Sequence, residues 1–532
     1  MRNSVSKIKS LFPSLVMAFC GGCLALFFQD GTVNDPARFG RVFLAVGFLL
    51  AALAGWCLNR RFSFLERLFS TKSPLAFGLS ASSAALVAYV FHCHCYAHGW
   101  THYTVVLLPF AWLFLFAIFA FALERALPLL QAFWKQRDKA ERWGMVAFSA
   151  GTLLLCFVLC ALTKVFIFPT TAEGEYLFDV IYTSDTVNLY DRDAFFNFFN
   201  TQNDVRQMWF PLLALPFAIS AKVFSLAFAF LPDAYGVFLM WMQILALAAS
   251  ALLFAKVMRL SKAGTWTFLA LFLLCFSQML FSLTLEQYVF PLFWTACFAY
   301  AVTEKREESA FLFSFNVGGF LTNAVLLPFL WKQGEKGSFW KNVSDALFFG
   351  VCLFCLTGRL PLFEPHNLQA KIAEILSFGG ESVPFFTVFS QFTQFIVFQF
   401  VAPPLVFSGE HIALSLPDPC FSFVGVALLL LEIVCFVLCR KDAFARLCAY
   451  WIAFSFVLLV LLGWGSAENG MILYSTYFCW AYLCLPVLAL KKLCPHRGFL
   501  LGSFAAVALL LLIANLPAMI EIVKMGMTYY PA

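Results

Sequence analysis

The sequence predicts an all-α polytopic transmembrane helix bundle of about 15 spans, each close to the roughly 20 residues that cross a bilayer core. Three observations carry this. Of 532 residues, 62 % are hydrophobic and only 12 % are charged, whereas soluble globular chains are nearer half apolar and a quarter charged. Apolar runs long enough to span recur along almost the whole length. The 35 Lys and Arg residues, which leave a net charge of +6, fall mainly in short loops between those runs. The basic balance therefore does not point to nucleic acid. Most of the 18 cysteines, such as Cys156, Cys160, Cys275, Cys352, Cys355, Cys435 and Cys439, lie inside apolar runs. There they act as small buried hydrophobes and not as a disulfide framework.

The elements follow from loop charge. Arg2, Lys7 and Lys9 precede the first apolar run, 12–28. No small-residue cleavage site follows and further spans come at once, so an uncleaved helix with a cytoplasmic N-terminus is expected. Spans 41–57, 75–95 and 103–122 complete a four-span N-terminal bundle over 1–143, with Arg60, Arg61, Arg67 and Lys72 in one inner loop and Arg125, Lys135, Arg137, Lys139 and Arg142 in the next. A core over 144–358 begins with span 144–168, which delivers the chain outside. The acidic loop 169–210 follows, with Glu173, Glu175, Asp179, Asp185, Asp191, Asp193 and Asp204 against Arg192 and Arg206. Long loops with their own chemistry often carry function.

Segment 211–231 resembles a span, but counting it as one would put Lys256, Arg259 and Lys262 outside. Pro211, Pro216 and Lys222 suit a broken helix in the outer interface, which restores the charge bias. The spans 236–256, 264–283, 287–303, a tight pair at 309–320 and 323–331, and 345–358 then alternate. A second outer segment, 359–420, is partly apolar and expected to be half-inserted. Four spans near 421–439, 447–464, 471–489 and 498–516 form a C-terminal bundle over 421–532.

Polar groups gather at the outer ends. The stretch YTSDTVNLYDRD brings Asp185, Asp191 and Asp193 together. Such carboxylates can serve as a general base toward a hydroxyl, hold a divalent cation such as Mg or Mn through oxygen ligands, or sit in a plain solvated loop. On the same side lie Glu286, Asn323, Glu468, Arg359, His366 and Lys371, with Lys164 at the outer end of its span and Arg206 in the loop. Ionisable groups at membrane depth are costly and mark functional cavities, and cations there can grip a phosphate, although each also fits a snorkelling interfacial residue. The run FHCHCYAHGWTHY carries His92, His94, His98 and His102. On one helix His94, His98 and His102 share a face suited to zinc or copper, but Gly99–Trp100 interrupts it, which favours plain interfacial histidines. Glu432 lies mid-span in LLLLEIVC. No P-loop, dinucleotide fingerprint or zinc-protease helix is present.

From about residue 144 the order of features resembles the GT-C class of membrane glycosyltransferases. The resemblance rests on span 144–168, the acidic loop around Asp185, RQMWFPLLALPF, the span ending in KVMRLSK, and the segments LEQYVFPLFW and GGFLTNAVLLPF. It covers two thirds of the chain by arrangement more than by motif. Trp209–Phe210–Pro211 stands where the class has a His-Pro pair, and the usual acid pair of the loop is not in its simplest form. The first four spans have no counterpart in the class. The resemblance implies an inverting sugar transfer from a polyprenyl-phosphate donor in the bilayer to an extracytoplasmic acceptor glycan, lipid or protein. Asp185 would be the base. The donor phosphate would lie near Arg359, Lys371 or Lys164, in a bacterial cytoplasmic membrane. The alternatives are a transporter or flippase for a lipid-linked glycan, with Glu432 on its path, and a non-catalytic scaffold.

Overall fold

The computed structural model describes residues 2–29, 39–71, 73–97, 101–171, 173–182, 184–191, 193–196, 207–331, 337–360, 369, 372–373, 383–408, 411–414, 421–465, 470–494 and 496–532. The chain is overwhelmingly helical. In order come α1 (Arg2–Gln29), α2 (Phe39–Phe62), α3 (Phe64–Ser70), α4 (Pro74–Ala97), α5 (Thr101–Lys135) and α6 (Lys139–Leu162). The acidic loop carries one short helix, α7 (Thr186–Asp191). Then follow α8 (Phe210–Ala227), α9 (Ala234–Val257), α10 (Lys262–Leu273), α11 (Phe276–Leu283), α12 (Val289–Thr303), α13 (Ser309–Gly319) and a 3-10 helix, Leu321–Leu330. After α14 (Ser338–Leu356) come α15 (Phe385–Phe398) and a hairpin of β1 (Leu405–Ser408) and β2 (His411–Leu414). The chain finishes with α16 (Phe423–Cys439), α17 (Ala443–Phe456), α18 (Ser475–Leu493) and α19 (Arg497–Tyr529).

Among the described residues ten helices are long and apolar enough to cross a membrane, or up to eleven if α10 and α11, bent by 73° at their junction, count as one span. This is fewer than the sequence count of about 15, which needed roughly 20 apolar residues per crossing. Several runs read as spans form shorter helices, α12 with 15 residues, α13 with 11, the 3-10 helix with 10 and α16 with 17, whereas α8, set aside in the sequence count, is among the ten. The half-inserted segment expected at 359–420 contains α15 and an antiparallel hairpin pairing Leu405 with Leu414 and Ser408 with His411.

The chain divides into two compact units. One comprises 1–150, 194–215 and 343–371, the other 151–193, 216–342 and 372–532. In the first, glycines let backbones meet, as small residues do between membrane helices. A Cβ on Gly55 would lie 2.4 Å from the Met17 carbonyl, and one on Gly21 2.9 Å from that of Ala51. Asn59 Nδ2 donates to Ser14 Oγ (3.2 Å), its Oδ1 accepts the Leu65 N–H (3.0 Å), and Arg61 pairs with Asp345 at 3.0 Å.

The second unit has two chemically distinct ends. At one, Lys491 Nζ donates to the carbonyls of Met258 (2.7 Å) and Arg259 (3.1 Å), Lys492 Nζ to that of Leu438 (2.5 Å), and Arg259 lies 3.9 Å from Glu304. This gathers the C-terminal ends of α9, α12, α16 and α18, where cations complement the unpaired carbonyls. At the other end, the Thr163 hydroxyl and the Lys164 N–H both bond the Tyr530 carbonyl (2.9 and 3.0 Å), so the end of α6 meets the end of α19. The acidic loop lies there too.

Helix α8 passes the length test for a span, yet its ring contacts run along this acidic end. Phe217 stacks on Phe290 in the first turn of α12 (4.7 Å), and Phe224 on Phe238 in the second turn of α9 (5.3 Å). Seven residues of helix cover about 10 Å, yet both partners lie within two turns of the same end. The contacts thus follow the bundle end and do not descend through it.

Candidate functional site at the acidic end

The acidic loop is held by backbone pairing and not by helix. The Ile412 N–H donates to the Val180 carbonyl (2.8 Å) and the Tyr182 N–H to the Ile412 carbonyl (3.0 Å), so the hairpin of the second long segment anchors the first. Asp179, Tyr182 and Asp193 have positive φ (56°, 55° and 45°). Asp adopts that region with little penalty, but a bulky Tyr does so only where its surroundings impose it. Tyr182 is pinned by its hydrogen bond to the hairpin. Asp185 follows at the start of α7, half-buried, and its carbonyl accepts the Leu189 N–H at 2.9 Å.

Beneath Asp185 lies the non-helical turn 284–288 between α11 and α12. Its centre is Glu286, 0 % exposed. Glu286 Oε1 accepts the backbone N–H of Asp185 at 2.5 Å, and Oε2 accepts that of Gln287 at 3.1 Å. From α9, Gln243 Oε1 accepts the Glu286 N–H (3.2 Å) while its Nε2 donates to the carbonyls of Thr284 (3.0 Å) and Ser282 (3.4 Å). The Leu285 N–H closes onto the Phe166 carbonyl (3.0 Å). Burial pushes the Glu286 carboxyl above the usual range, as do the neighbouring Asp185 and Asp179 carboxylates, while the Gln287 and Asp185 N–H groups pull it back.

Beside the turn is an aromatic wall. Tyr288 stacks on Phe320 (5.5 Å) and meets Tyr474 edge-on (5.6 Å), and Phe320 packs on Tyr477 (4.7 Å). The Tyr477 hydroxyl donates to Asn323 Oδ1, and Asn323 Nδ2 donates to the Asn316 carbonyl (3.0 Å). Asn323 thus joins the 3-10 helix to α13 and α18.

The remaining candidates separate. Asp193 accepts a hydrogen bond from the Tyr235 hydroxyl (2.9 Å) and lies 3.9 Å from Lys222, whose Nζ sits 4.1 Å over the Tyr235 ring. Burial pushes Asp193 up against the pull of Lys222 and that hydroxyl. Asp191, at the end of α7, is exposed. Asp193, the other residue of the expected cation pair, thus faces Tyr235 and Lys222. Among the described residues no group of three His, Cys, Asp or Glu side chains is placed to hold a metal ion. Lys164 faces Asp233 at 3.9 Å. Arg359 is buried in the first compact unit. Arg206, His366, Lys371 and Glu468, and the side chains of His94, His98 and His102, lie outside the described residues. Of the sequence candidates, Asp185 and Glu286 are the pair brought together. Gln243 and Asp179 join them without having been singled out as site residues.

No family model, no curated protein and no solved structure matches this chain.

Proposed function

We propose that the protein is a membrane glycosyltransferase of the GT-C type. It would move a sugar from a polyprenyl-phosphate donor to an acceptor on the extracytoplasmic side, with inversion. The observation that carries the reading is Asp185, a half-buried carboxylate in a long loop, fixed over a wholly buried carboxylate by a 2.5 Å hydrogen bond from its own N–H. Membrane proteins place ionisable groups so expensively only where a site uses them.

In this reading Asp185 takes the proton from the acceptor hydroxyl as its oxygen attacks the anomeric carbon. The bond from that carbon to the phosphate oxygen breaks on the opposite face, and the polyprenyl phosphate leaves with the electron pair. Lys164 and Lys222 are cations at this end able to meet the developing phosphate charge. Helix α8, lying along the same end, gives the donor's lipid chain a boundary between bundle and bilayer. The acidic end is then extracytoplasmic and the basic end cytoplasmic, as loop charge requires.

The test uses purified protein in liposomes with labelled polyprenyl-phosphate hexoses. Release of free polyprenyl phosphate should fall at least ~100-fold for Asp185→Asn, the lower range for removing a general base. Equal release by a folded variant would remove Asp185 from the mechanism.

A second reading, translocation of a lipid-linked glycan, is favoured by one observation. Glu432 on α16 is buried, and its Oε2 has no hydrogen-bond partner among the described residues. A flipping assay with fluorescent lipid-linked glycan separates the two, since translocation abolished by Glu432→Gln and untouched by Asp185→Asn would favour the transporter.

A further inference from the structure

We infer that Gln243 and Glu286 are the positioning residues of this site: Gln243 on α9 sets the turn that carries Glu286, and Glu286 sets the backbone of the acidic loop at Asp185. The inference rests on the reading of Asp185 as base, and it adds what holds that base in place.

The geometry is specific. Glu286 has two oxygens and each receives a backbone N–H, one from its own neighbour Gln287 and one from Asp185, a hundred residues earlier in the chain. An amide could serve only one of these donors, because its NH2 group would face the other N–H. A carboxylate serves both, and charge-assisted bonds are the short ones, in keeping with 2.5 Å. Gln243 is the complementary choice. It must accept the Glu286 N–H and donate to the Thr284 carbonyl in the same turn, and only an amide does both.

Direct substrate binding by Glu286 is disfavoured by its full burial and by the engagement of both its oxygens. Its carboxyl instead lies beside that of Asp185, with Asp179 the next acid facing it. Two interacting carboxyls titrate as a pair, so Glu286 also bears on the pH at which the base becomes active.

The experiment combines two readouts on Glu286→Gln. Hydrogen–deuterium exchange of the peptide spanning 184–190 in detergent micelles should show the Asp185 amide exchanging at least ~10-fold faster than in wild type, as for any amide losing its protected partner. Unchanged exchange overturns the inference regardless of activity. In the donor-lipid assay the variant should show a lower kcat with little change in KM, and the acid limb of its pH profile should move to lower pH, because the carboxyl that titrates together with Asp185 is gone. A lower kcat with an unmoved acid limb would make Glu286 a structural residue only and overturn its assignment. Faster exchange in a chain whose wild type releases no polyprenyl phosphate would uphold the clamp and overturn the transferase reading, so the two failures are distinguishable. Should Glu286→Gln not fold, Gln243→Glu carries the test. It keeps the acceptor for the Glu286 N–H but loses the donor to Thr284, and a rise in Asp185 exchange of about threefold is expected. No rise there overturns the inference.

Discussion

Two helix interruptions, ten residues apart in the second unit, solve the same problem differently. Backbone N–H and C=O groups freed at membrane depth must be paired within the protein. At the first break, between α10 and α11, the Phe276 and Ser277 N–H groups donate to the carbonyls of Phe400 (3.0 Å) and Gln399 (3.2 Å) at the end of α15. Asn515 of α19 donates to the carbonyls of Leu274 and Phe400, both at 2.8 Å, and accepts the Ala402 N–H at 2.9 Å. At the second break, 284–288, Gln243 plays the part of Asn515, but a carboxylate is added. The first break shows that a neutral amide suffices to stitch a broken helix. A fully buried carboxylate costs far more, so Glu286 is there for something beyond closing the gap. What distinguishes it is the bond to Asp185.

The sharpest way to break this comparison is Asn515→Leu. It strands the Leu274 carbonyl and the Ala402 N–H at once, at about 1–3 kcal/mol for each buried group left unmet, while the Phe400 carbonyl keeps the Phe276 N–H. A loss of about 3 kcal/mol or more is expected, read as a large fall in the midpoint of thermal unfolding in detergent. The pH profile of any surviving activity should match wild type, because no charge near Asp185 has changed. A shifted acid limb in Asn515→Leu would show that the two breaks are coupled, and would dissolve the distinction between a staple and a platform.

A smaller effect is expected from Ser277→Ala at the same break. The hydroxyl makes one neutral hydrogen bond, to the Gln399 carbonyl at 2.9 Å, and that carbonyl keeps the Ser277 N–H. The loss should be about 1 kcal/mol by the same unfolding measurement. A loss as large as that of Asn515→Leu would mean that the break depends on every contact equally.

These contacts also mark what could be read from the chain alone. In a sequence with so few charges, Asp185, Glu286, Asp193 and Lys164 stand out by their cost, and loop charge placed them at one end of the bundle. Helix α8 was legible as a helix apart from the regular crossings, from its prolines, Lys222 and the charge bias that a span would have spoiled, and its ring contacts run along the acidic end. Gln243 and Asn515 were not legible, because a single amide inside an apolar run carries no mark of its partner 43 or 241 residues away. The hairpin β1–β2 was missed for a similar reason, since its docking onto Val180 and Tyr182 is long-range pairing. Hydropathy sees length without direction: the run 264–283 reads as one crossing, and the bend of 73° between α10 and α11, where α15 and α19 pair the freed backbone groups, leaves no mark in it.

The smallest effect on stability is expected at the ion pair that looks most functional by charge alone. Lys164 and Asp233 are 3.9 Å apart, with side chains 37 % and 38 % exposed. Pairs of this exposure contribute roughly 0–1 kcal/mol, reduced further by salt, and Lys164 keeps its structural link to Tyr530 through its backbone N–H. Lys164→Met should therefore leave the unfolding midpoint within about 0.5 kcal/mol of wild type. If Lys164 meets the donor phosphate, the same variant should raise KM for the polyprenyl-phosphate sugar, most strongly at low ionic strength, where a cation acts over the longest range. A KM insensitive to both the substitution and salt would take Lys164 out of the site and leave Lys222, held over the Tyr235 ring beside Asp193, as the next cation to test. The buried turn and the exposed pair would then differ in kind: one sets the backbone at Asp185, and the other only borders it.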